Sequence, residues 1–472
     1  MKKLFKNTKS SKSFVYDCQT DIKISLKEIN EKSNQFKKVV SINKNSVILV
    51  SENSIDFFIS YFCLIQNNFL VILIGSNIKN DDLNNLILKF RPNFICYPNK
   101  IKFTINKKKK NYYAFNKYRL FILESKNLNL HKDLCLLIPT SGSTGESKFV
   151  KLTYKNIISN IIKISNFLKI NSKHITITTL PPEYTYGLSI INSNIFKGGS
   201  IIMSAGSVIE PKFWEIVKKL KVNSFGGVPY TYELLNRIKF EKKLKLIKSI
   251  RYLTQAGGKL SDQLQKYMND LCKIHKFNFY IMYGSTEASP RMSMMLSKKN
   301  NKIGSIGRAL PGCSFLIKKK NKKVNKPFTK GDLYFKGDNI FAGYANSEED
   351  LKCLKKIEYL KTGDYAYFDK DGYFYIQGRS DRVIKLNGIR IDLDSLENLL
   401  KKKLFLNIKL SLNKKFIKAF FLKDLDNYIE IKRKISALSN IHPSNIKIFT
   451  LKSFPLTRSN KIDYSKLNKM YD

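Results

Sequence analysis

Between Ser46 and Gly75 three segments follow one another: the apolar run "VILV", the longer stretch "SIDFFISYFCLI", and a second apolar run, "FLVILIG". Two short apolar runs flanking a helix-length stretch form the pattern of a β-α-β unit. Strands that are apolar throughout, without alternation, are those covered on both faces, as in a parallel sheet. The feature constrains the chain strongly, because parallel neighbours need a crossover that packs on the sheet. The same region contains the most membrane-like stretch, "FFISYFCLIQNNFLVILIG", but Gln66, Asn67 and Asn68 interrupt it. It reads as a helix followed by a buried strand, with no membrane insertion.

The rhythm returns at "FICY", "LCLLIP" and "ITITTLPP", the last preceded by the amphipathic "NIISNIIKISNFLKI", and again at "IIMSAG" and "IRYLTQAGG". After about Lys302 short strands and glycine turns take over, as in "GDLYFKGDNIFAGYA" and "DYAYFDKDGYFYIQGR", where Asp371-Gly372 is a hairpin signal. Beyond Asp381 a helix, "LDSLENLLKKKL", and strands "IKLSL", "KAFFL" and "IKIFTL" suffice for a compact α+β domain. The expected fold class is therefore α/β: a large N-terminal unit of βαβ-type sheets with a β-rich subdomain, residues 1–380, and a small α+β domain, residues 381–472. No internal repeat is visible.

Charge is the unusual bulk property: 85 basic against 37 acidic residues leave a formal +48. Such an excess usually points to nucleic acid or an anionic membrane surface. Here lysine is spread along the whole chain with abundant Asn and Ile, and no nucleic-acid-binding module signature accompanies it. Lys107 to Lys110 and "KKKNKKVNK" read as solvated loops. The seven cysteines form no C-x-x-C pair and the four histidines do not cluster. That argues against a disulfide framework or zinc site and for a reducing compartment. The N-terminus is basic but lacks an apolar segment of signal-peptide type. The expectation is a cytoplasmic protein without a specific nucleic-acid partner.

Chemistry concentrates first at "PTSGSTGESK", Pro139 to Lys148. A loop of Ser, Thr and Gly offers many N–H and O–H donors to one anion and lets the backbone approach it closely. The Walker pattern would need Gly before the lysine and Ser or Thr after it. Lys148 stands between Ser147 and Phe149, so that reading fails.

Three further segments accompany the loop: "YIMYGSTEAS" (Tyr280 to Ser289), "KTGDYAYFDKDGYFYIQGRSDRVIKLNGIRID" (Lys361 to Asp392) and "PLTRSNKID" (Pro455 to Asp463). In order and spacing the four resemble the motifs of the adenylate-forming superfamily of acyl-CoA synthetases, luciferases and nonribosomal adenylation domains. The likeness covers nearly the whole chain. It implies an enzyme, an acid–thiol ligase that joins a carboxylic acid to AMP with loss of pyrophosphate and then passes the acyl group to a thiol.

The resemblance implies a role for each residue. Thr140, Ser141, Gly142, Ser143, Thr144, Gly145 and Lys148 would hold the outer phosphates of ATP. Thr286 would contact the α-phosphate and Glu287 would bind Mg²⁺, a hard cation suited to oxygen ligands. Tyr283, beside Gly284, would stack on adenine. Asp364 would accept both ribose hydroxyls through its two oxygens, with Arg379 supporting ribose and phosphate. Lys461 would bridge carboxylate and α-phosphate, from a small domain that swings about Asp381. Gly388 would leave room for a pantetheine arm. Three departures from the family pattern stand out: Ser147 where Pro is usual, Phe149 at the loop's rim where Gly is usual, and Asn460 where Gly is typical.

The acyl pocket should draw on Tyr186 and Gly187 and on Gly257 and Gly258, two glycines placed to face either adenine or substrate. Members acting on α-amino acids carry an aspartate in the first segment, whereas this chain has Tyr184-Thr185-Tyr186-Gly187 with Glu183 nearby. An unpaired buried ammonium is costly, which favours a small acid without an α-amine. ATP, Mg²⁺ and CoA are the implied cofactors. The phosphopantetheine of an acyl carrier protein is the alternative acceptor, and a basic nucleic-acid-binding pseudoenzyme is the alternative of another class. Chain length of the acid and oligomeric state are not legible.

Overall fold

Six consecutive buried residues, Ser46–Ser51, and six more, Leu70–Gly75, form neighbouring parallel strands with Val47 opposite Val71 and Ile48 opposite Ile72. The crossover between them is the helix Ile55–Gln66, which is buried from Ile55 to Ile65. A helix apolar on every side must be covered on every side. Its N-cap, Ser54, accepts the Phe57 N–H, leaving that donor satisfied. The β-α-β unit read from the sequence is thus present, in a computed structural model. The model describes residues 12–40, 44–124, 129–140, 148–204, 206–297, 302–379, 382–386, 389–404, 408–413, 416–422, 427–439, 441–456 and 462–471.

The chain divides into two compact units: the described residues of Met1–Gly142, Glu146–Ser314 and Lys336–Leu360 in the first, and those of Phe315–Phe335 and Lys361–Asp472 in the second. The second therefore takes in the β-rich strands before Asp381 as well as the stretch after it.

The first unit is built on two large sheets. In the eight-stranded sheet, Ser46–Ser51 lies between Leu70–Gly75 and Phe94–Pro98, and Leu70–Gly75 is followed outward by Leu134–Thr140, Lys148–Thr153 and Tyr344–Ala345. In the nine-stranded sheet, the parallel strands Ile175–Ile177, Ser224–Gly227, Tyr252–Gln255 and Asn278–Gly284 lead to antiparallel Arg291–Leu296. The helix Thr185–Phe196 is buried from Thr185 to Ile195, and Tyr61 of the first crossover helix donates to Asn192 on it at 3.2 Å.

Two differences from the sequence reading concern the lysine-rich stretches. Lys109 and Lys110 open an edge strand, Lys109–Phe115, and Lys318 to Lys323 form a hairpin in which Lys318 pairs with Lys323. Their turn residues, Lys320 and Asn321, both have positive φ (48° and 63°), the geometry of a type I′ turn. Edge lysines of this kind also discourage pairing with other chains.

The second unit holds a five-stranded sheet whose last two strands, Leu360–Phe368 and Phe374–Arg379, pair antiparallel as the hairpin expected at Asp371-Gly372. Its remainder has the helix Leu393–Leu404 and the strands Ile408–Asn413, Phe416–Phe421 and Ile446–Thr450, as read from the sequence, and a helix that was not read, Tyr428–Ser439. Leu396, Leu400, Leu410, Ile417, Ile435 and Ile446 form its core. No helix among the described residues is long and apolar enough to cross a membrane.

Candidate active site

The strands Leu134–Thr140 and Lys148–Thr153 run antiparallel, with Thr140 opposite Lys148. The Thr140 hydroxyl donates to the Lys148 carbonyl at 3.2 Å, so the mouth of the Ser/Thr/Gly loop is closed by a side chain as well as by the ladder. Ser141, Gly142, Ser143, Thr144 and Gly145 lie outside the described residues, as does Ser147. Phe149 does not sit at the loop's rim. It is 1% exposed and packs edge-on against Phe90 with ring centroids 5.0 Å apart, so its bulk belongs to the core beneath the sheet. Strand alternation explains this: Lys148 faces out and its neighbour faces in.

Thr286 and Glu287 occupy a tight 3₁₀ turn, Thr286–Ala288, directly after the strand that carries Tyr283 and Gly284. The turn is tied down from several sides. Asn339 Nδ2 donates to the Ala288 carbonyl at 2.6 Å, the Ser289 hydroxyl donates to the Asn339 carbonyl at 2.8 Å, and the Phe341 N–H donates to the Glu287 carbonyl at 2.8 Å. The Tyr344 hydroxyl donates to Glu287 Oε1 at 2.9 Å, and Lys148 Nζ lies 5.8 Å from the Tyr344 ring centroid. Burial, and then the Glu287 charge, raise the Tyr344 pKa above the phenol's usual value, so this hydroxyl stays a donor. On the other side the hydroxyls of Thr185 and Thr286 are 2.9 Å apart. The loop mouth and the Thr-Glu turn are thereby linked through Tyr344, a residue the sequence reading did not single out. Asn339 was also missed. Both lie within the Gly-rich run "KGDNIFAGY", whose polar residues looked like turn punctuation.

Gly284 has a steric reason to be glycine. A Cβ there would lie 1.9 Å from the Pro290 carbonyl oxygen, which accepts the Ser285 N–H at 2.9 Å. We expect Gly284→Ala to cost about 1–3 kcal/mol through forced backbone movement. A denaturation midpoint within experimental error of wild type would contradict this.

The residues expected to line an acyl pocket distribute as follows. Tyr186 is buried beside Arg291, its hydroxyl 2.7 Å from Thr254 Oγ1, and burial pushes its phenol up to about 12. Gly187 lies in the first turn of the helix Thr185–Phe196, close against the Pro181 carbonyl. Gly257 and Gly258 follow the strand Tyr252–Gln255, with the Gly258 carbonyl accepting from Gln255 Nε2 at 2.8 Å. Glu183 accepts the Ser51 hydroxyl at 2.5 Å. Its carboxylate is thus engaged at the end of another strand.

In the second unit Asp364 and Arg379 are direct cross-strand partners, joined by an ion pair of 3.3 Å between Arg379 Nη1 and Asp364 Oδ1. Asp364 is mostly buried while Arg379 is half exposed (side chains 11% and 55%). The Thr362 hydroxyl accepts the Asp364 N–H and donates to the Leu333 carbonyl. Between them Gly363 has φ +77°, a left-handed conformation that glycine adopts without strain. Thr-Gly-Asp is therefore a shaped corner that aims a carboxylate. Asp381, Gly388, Asn460 and Lys461 lie outside the described residues. The hairpin Val383–Leu386 with Ile389–Asp392 flanks Gly388, and a bridge between Leu456 and Ile462 brackets the segment with Lys461.

These pieces, a parallel-sheet core with a hydroxyl-lined loop, a clamped Thr-Glu turn and an Asp-Arg corner, are those of adenylate-forming enzymes. The family model described as AMP-binding enzyme matches residues 5–345, and the chain belongs to that family. It is 25% identical over 398 residues to luciferin 4-monooxygenase of Photuris pensylvanica, covering 77% of this chain and 72% of that protein. It is 30% identical over 280 residues to probable 4-coumarate–CoA ligase 3 of Dictyostelium discoideum, covering 58% of this chain. The match spans only 50% of that ligase's length. The structure superposes on o-succinylbenzoate coenzyme A synthetase of Bacillus subtilis in complex with AMP with a TM-score of 0.76 at 18% identity, over 97% of this chain and 95% of that one. At that identity the superposition establishes the shared fold.

Proposed function

We propose that the protein activates a small carboxylic acid with ATP and transfers the acyl group to a thiol, with CoA the favoured acceptor. A carboxylate oxygen attacks the α-phosphorus, the bond to pyrophosphate breaks, and an acyl-adenylate forms. The thiol then attacks the acyl carbon, AMP leaves, and a proton is released. The observation that carries this reading is the clamped Thr286–Glu287 turn, joined to the loop mouth by Tyr344. A rigid pair of oxygen-bearing side chains beside a donor-rich loop suits a polyanion whose charge shifts during reaction. Membership of the AMP-binding family and the CoA-ligase relative support it.

Glu287 fits Mg²⁺ as a single protein carboxylate, the usual arrangement when phosphate and water oxygens complete the shell. Among the described residues no three His, Cys, Asp or Glu side chains gather into a metal cage. The ion would neutralise phosphate charge. Asp364 and Arg379 are assigned to the ribose, and Tyr283 to adenine. The division into a body of residues 1–380 and a moving lid of 381–472 carrying Lys461 belongs to the same proposal, as does the alternative acceptor, a carrier-protein phosphopantetheine.

The test is ATP–pyrophosphate exchange across a panel of short, long, aromatic, hydroxy and amino acids. Exchange should require both Mg²⁺ and one class of carboxylic acid. Exchange supported by no acid in the panel would overturn the reading.

A further inference from the structure

The nine-stranded sheet holds a charge that the scheme above does not use. Arg291, four residues past Glu287, is 3% exposed. Its Nε and Nη1 are buried without a hydrogen-bond partner, and among the described residues no carboxylate forms an ion pair with it. The nearest aromatic support is the Tyr186 ring, with the guanidinium carbon 5.1 Å from its centroid. Burial lowers the Arg291 pKa, but arginine remains a cation in proteins. Burial also pushes Tyr186 and Tyr252 up to about 12, so neither provides a negative charge near neutrality. A buried, unpaired cation is among the costliest features a fold can retain.

The main chain of this residue is held independently of its side chain. Asn160 Nδ2 donates to the Arg291 carbonyl at 2.7 Å and Asn339 Nδ2 does so at 3.1 Å, while the Arg291 N–H donates to Asn160 Oδ1 at 3.3 Å. Asn339 is the same residue that clamps the Thr286–Glu287 turn.

Arg291 lines a cavity together with Thr176, Ser193, Asn194, Tyr252 and Thr254. Two of these neighbours are unsatisfied as well: Ser193 Oγ and Asn194 Oδ1 are buried without partners. The free space is only about 10 Å³, the room of a single water. A long acyl chain has no place there, and even a carboxylate enters only if apolar lining such as Ile164 and Ile190 gives way. The cavity is also next to the chemistry. Tyr186, over the guanidinium, directly follows Thr185, whose hydroxyl is 2.9 Å from that of Thr286.

We infer that Arg291 receives a second anionic group on the substrate, making the acid a short dicarboxylate. The inference rests on the adenylation reading for the fate of the first carboxylate. The forked guanidinium pairs with a carboxylate in two parallel hydrogen bonds, and the Ser193 hydroxyl provides a further donor. Charge does the selecting: the desolvated cation disfavours a neutral tail and favours a carboxylate able to pair with it.

The experiment uses the full chain and α,ω-dicarboxylates of three to six carbons beside monocarboxylates of matched length. Wild type should favour a dicarboxylate in exchange by at least about 30-fold in kcat/KM, the scale of a buried charge pair. Arg291→Met should abolish that preference while keeping monocarboxylate exchange within about threefold. Arg291→Lys should raise KM for the dicarboxylate more than it lowers kcat, because the charge stays and the fork is lost. In the absence of ATP the dicarboxylate should raise the Tm of wild type and leave that of Arg291→Met unchanged. ATP should stabilise both.

Equal use of mono- and dicarboxylates by wild type, or a preference that survives Arg291→Met, overturns the inference and leaves adenylation standing. If no acid supports exchange, adenylation falls, and the ATP-free thermal shift decides the role of Arg291 by itself. A shift of the same size from chloride or inorganic phosphate also overturns it. Should Arg291→Met fail to fold, the comparison is made with Arg291→Lys.

Discussion

Replacing Arg382 with alanine should destabilise the second unit by about 3–5 kcal/mol, the range for breaking a buried ion pair from one side. The side chain is 11% exposed and reaches three ways. Nε donates to Asp394 Oδ1 at 2.5 Å, Nη2 to Glu397 Oε1 at 2.6 Å, and Nη1 to the Leu410 carbonyl at 3.1 Å. Its guanidinium carbon also lies 3.7 Å from the centroid of the Tyr464 ring. Glu397, 8% exposed, accepts the Leu410 N–H at 2.7 Å and the Tyr464 hydroxyl at 2.8 Å. One arginine thus joins the helix Leu393–Leu404, the strand Ile408–Asn413 and the last helix, Tyr464–Lys469. Removing it strands two carboxylates that it had paired, with Lys409 3.3 Å from Glu397 Oε2 as a partial substitute for one of them. Lysine should not rescue the variant, since a point charge cannot satisfy three directions. Denaturant unfolding followed by a probe in residues 393–471 measures the effect, and a loss below about 1 kcal/mol, the scale of an exposed pair, would refute it.

Lys461→Ala should lower acid-dependent pyrophosphate exchange by about 10²–10³-fold, the scale for removing one preorganised electrostatic contact. Thioester formation from pre-made acyl-adenylate should stay within a few-fold of wild type. The asymmetry follows from the role proposed for the lysine: two anions must meet only in the first half-reaction, whereas the second starts from a neutral acyl carbon. The segment around it is anchored at both ends. Leu456 bridges Ile462, and the Asp463 N–H donates to the Pro455 carbonyl at 2.8 Å. Equal loss in both half-reactions would remove Lys461 from this role.

The fold was legible where burial left an unbroken apolar signature. "VILV" and "FLVILIG" are strands because both faces are covered, and the helix between them is apolar all round for the same reason. Asp371-Gly372 was legible through turn chemistry, which is local. The lysine-rich edge strand Lys109–Phe115 was not, because its stabilisation comes from pairing with Tyr118–Leu123 and leaves its first lysines exposed. Phe149 was misplaced at the loop's rim because its neighbours in sequence are loop residues, whereas its neighbours in space are core. Thr286 and Glu287 were legible as a motif. Their supports, Asn339, Phe341 and Tyr344, come from a distant segment and make their contacts only once the sheet has formed. Arg291 opens the buried strand "RMSMML", and a basic residue entering such a run was the one visible sign of it.

Asn339, Phe341 and Tyr344 belong to an excursion, Lys336–Leu360, that leaves the second unit's sheet at Gly331–Lys336 and re-enters it at Leu360–Phe368, the neighbouring strand. Zipping those two strands closes the excursion into a loop and lowers the entropy cost of bringing its residues onto the Thr-Glu turn. Unzipping them restores that cost. Amide hydrogen exchange at Phe341 should therefore rise and fall with exchange in the Gly331–Lys336 strand, so that fraying far along the chain is felt as looser grip on a carboxylate.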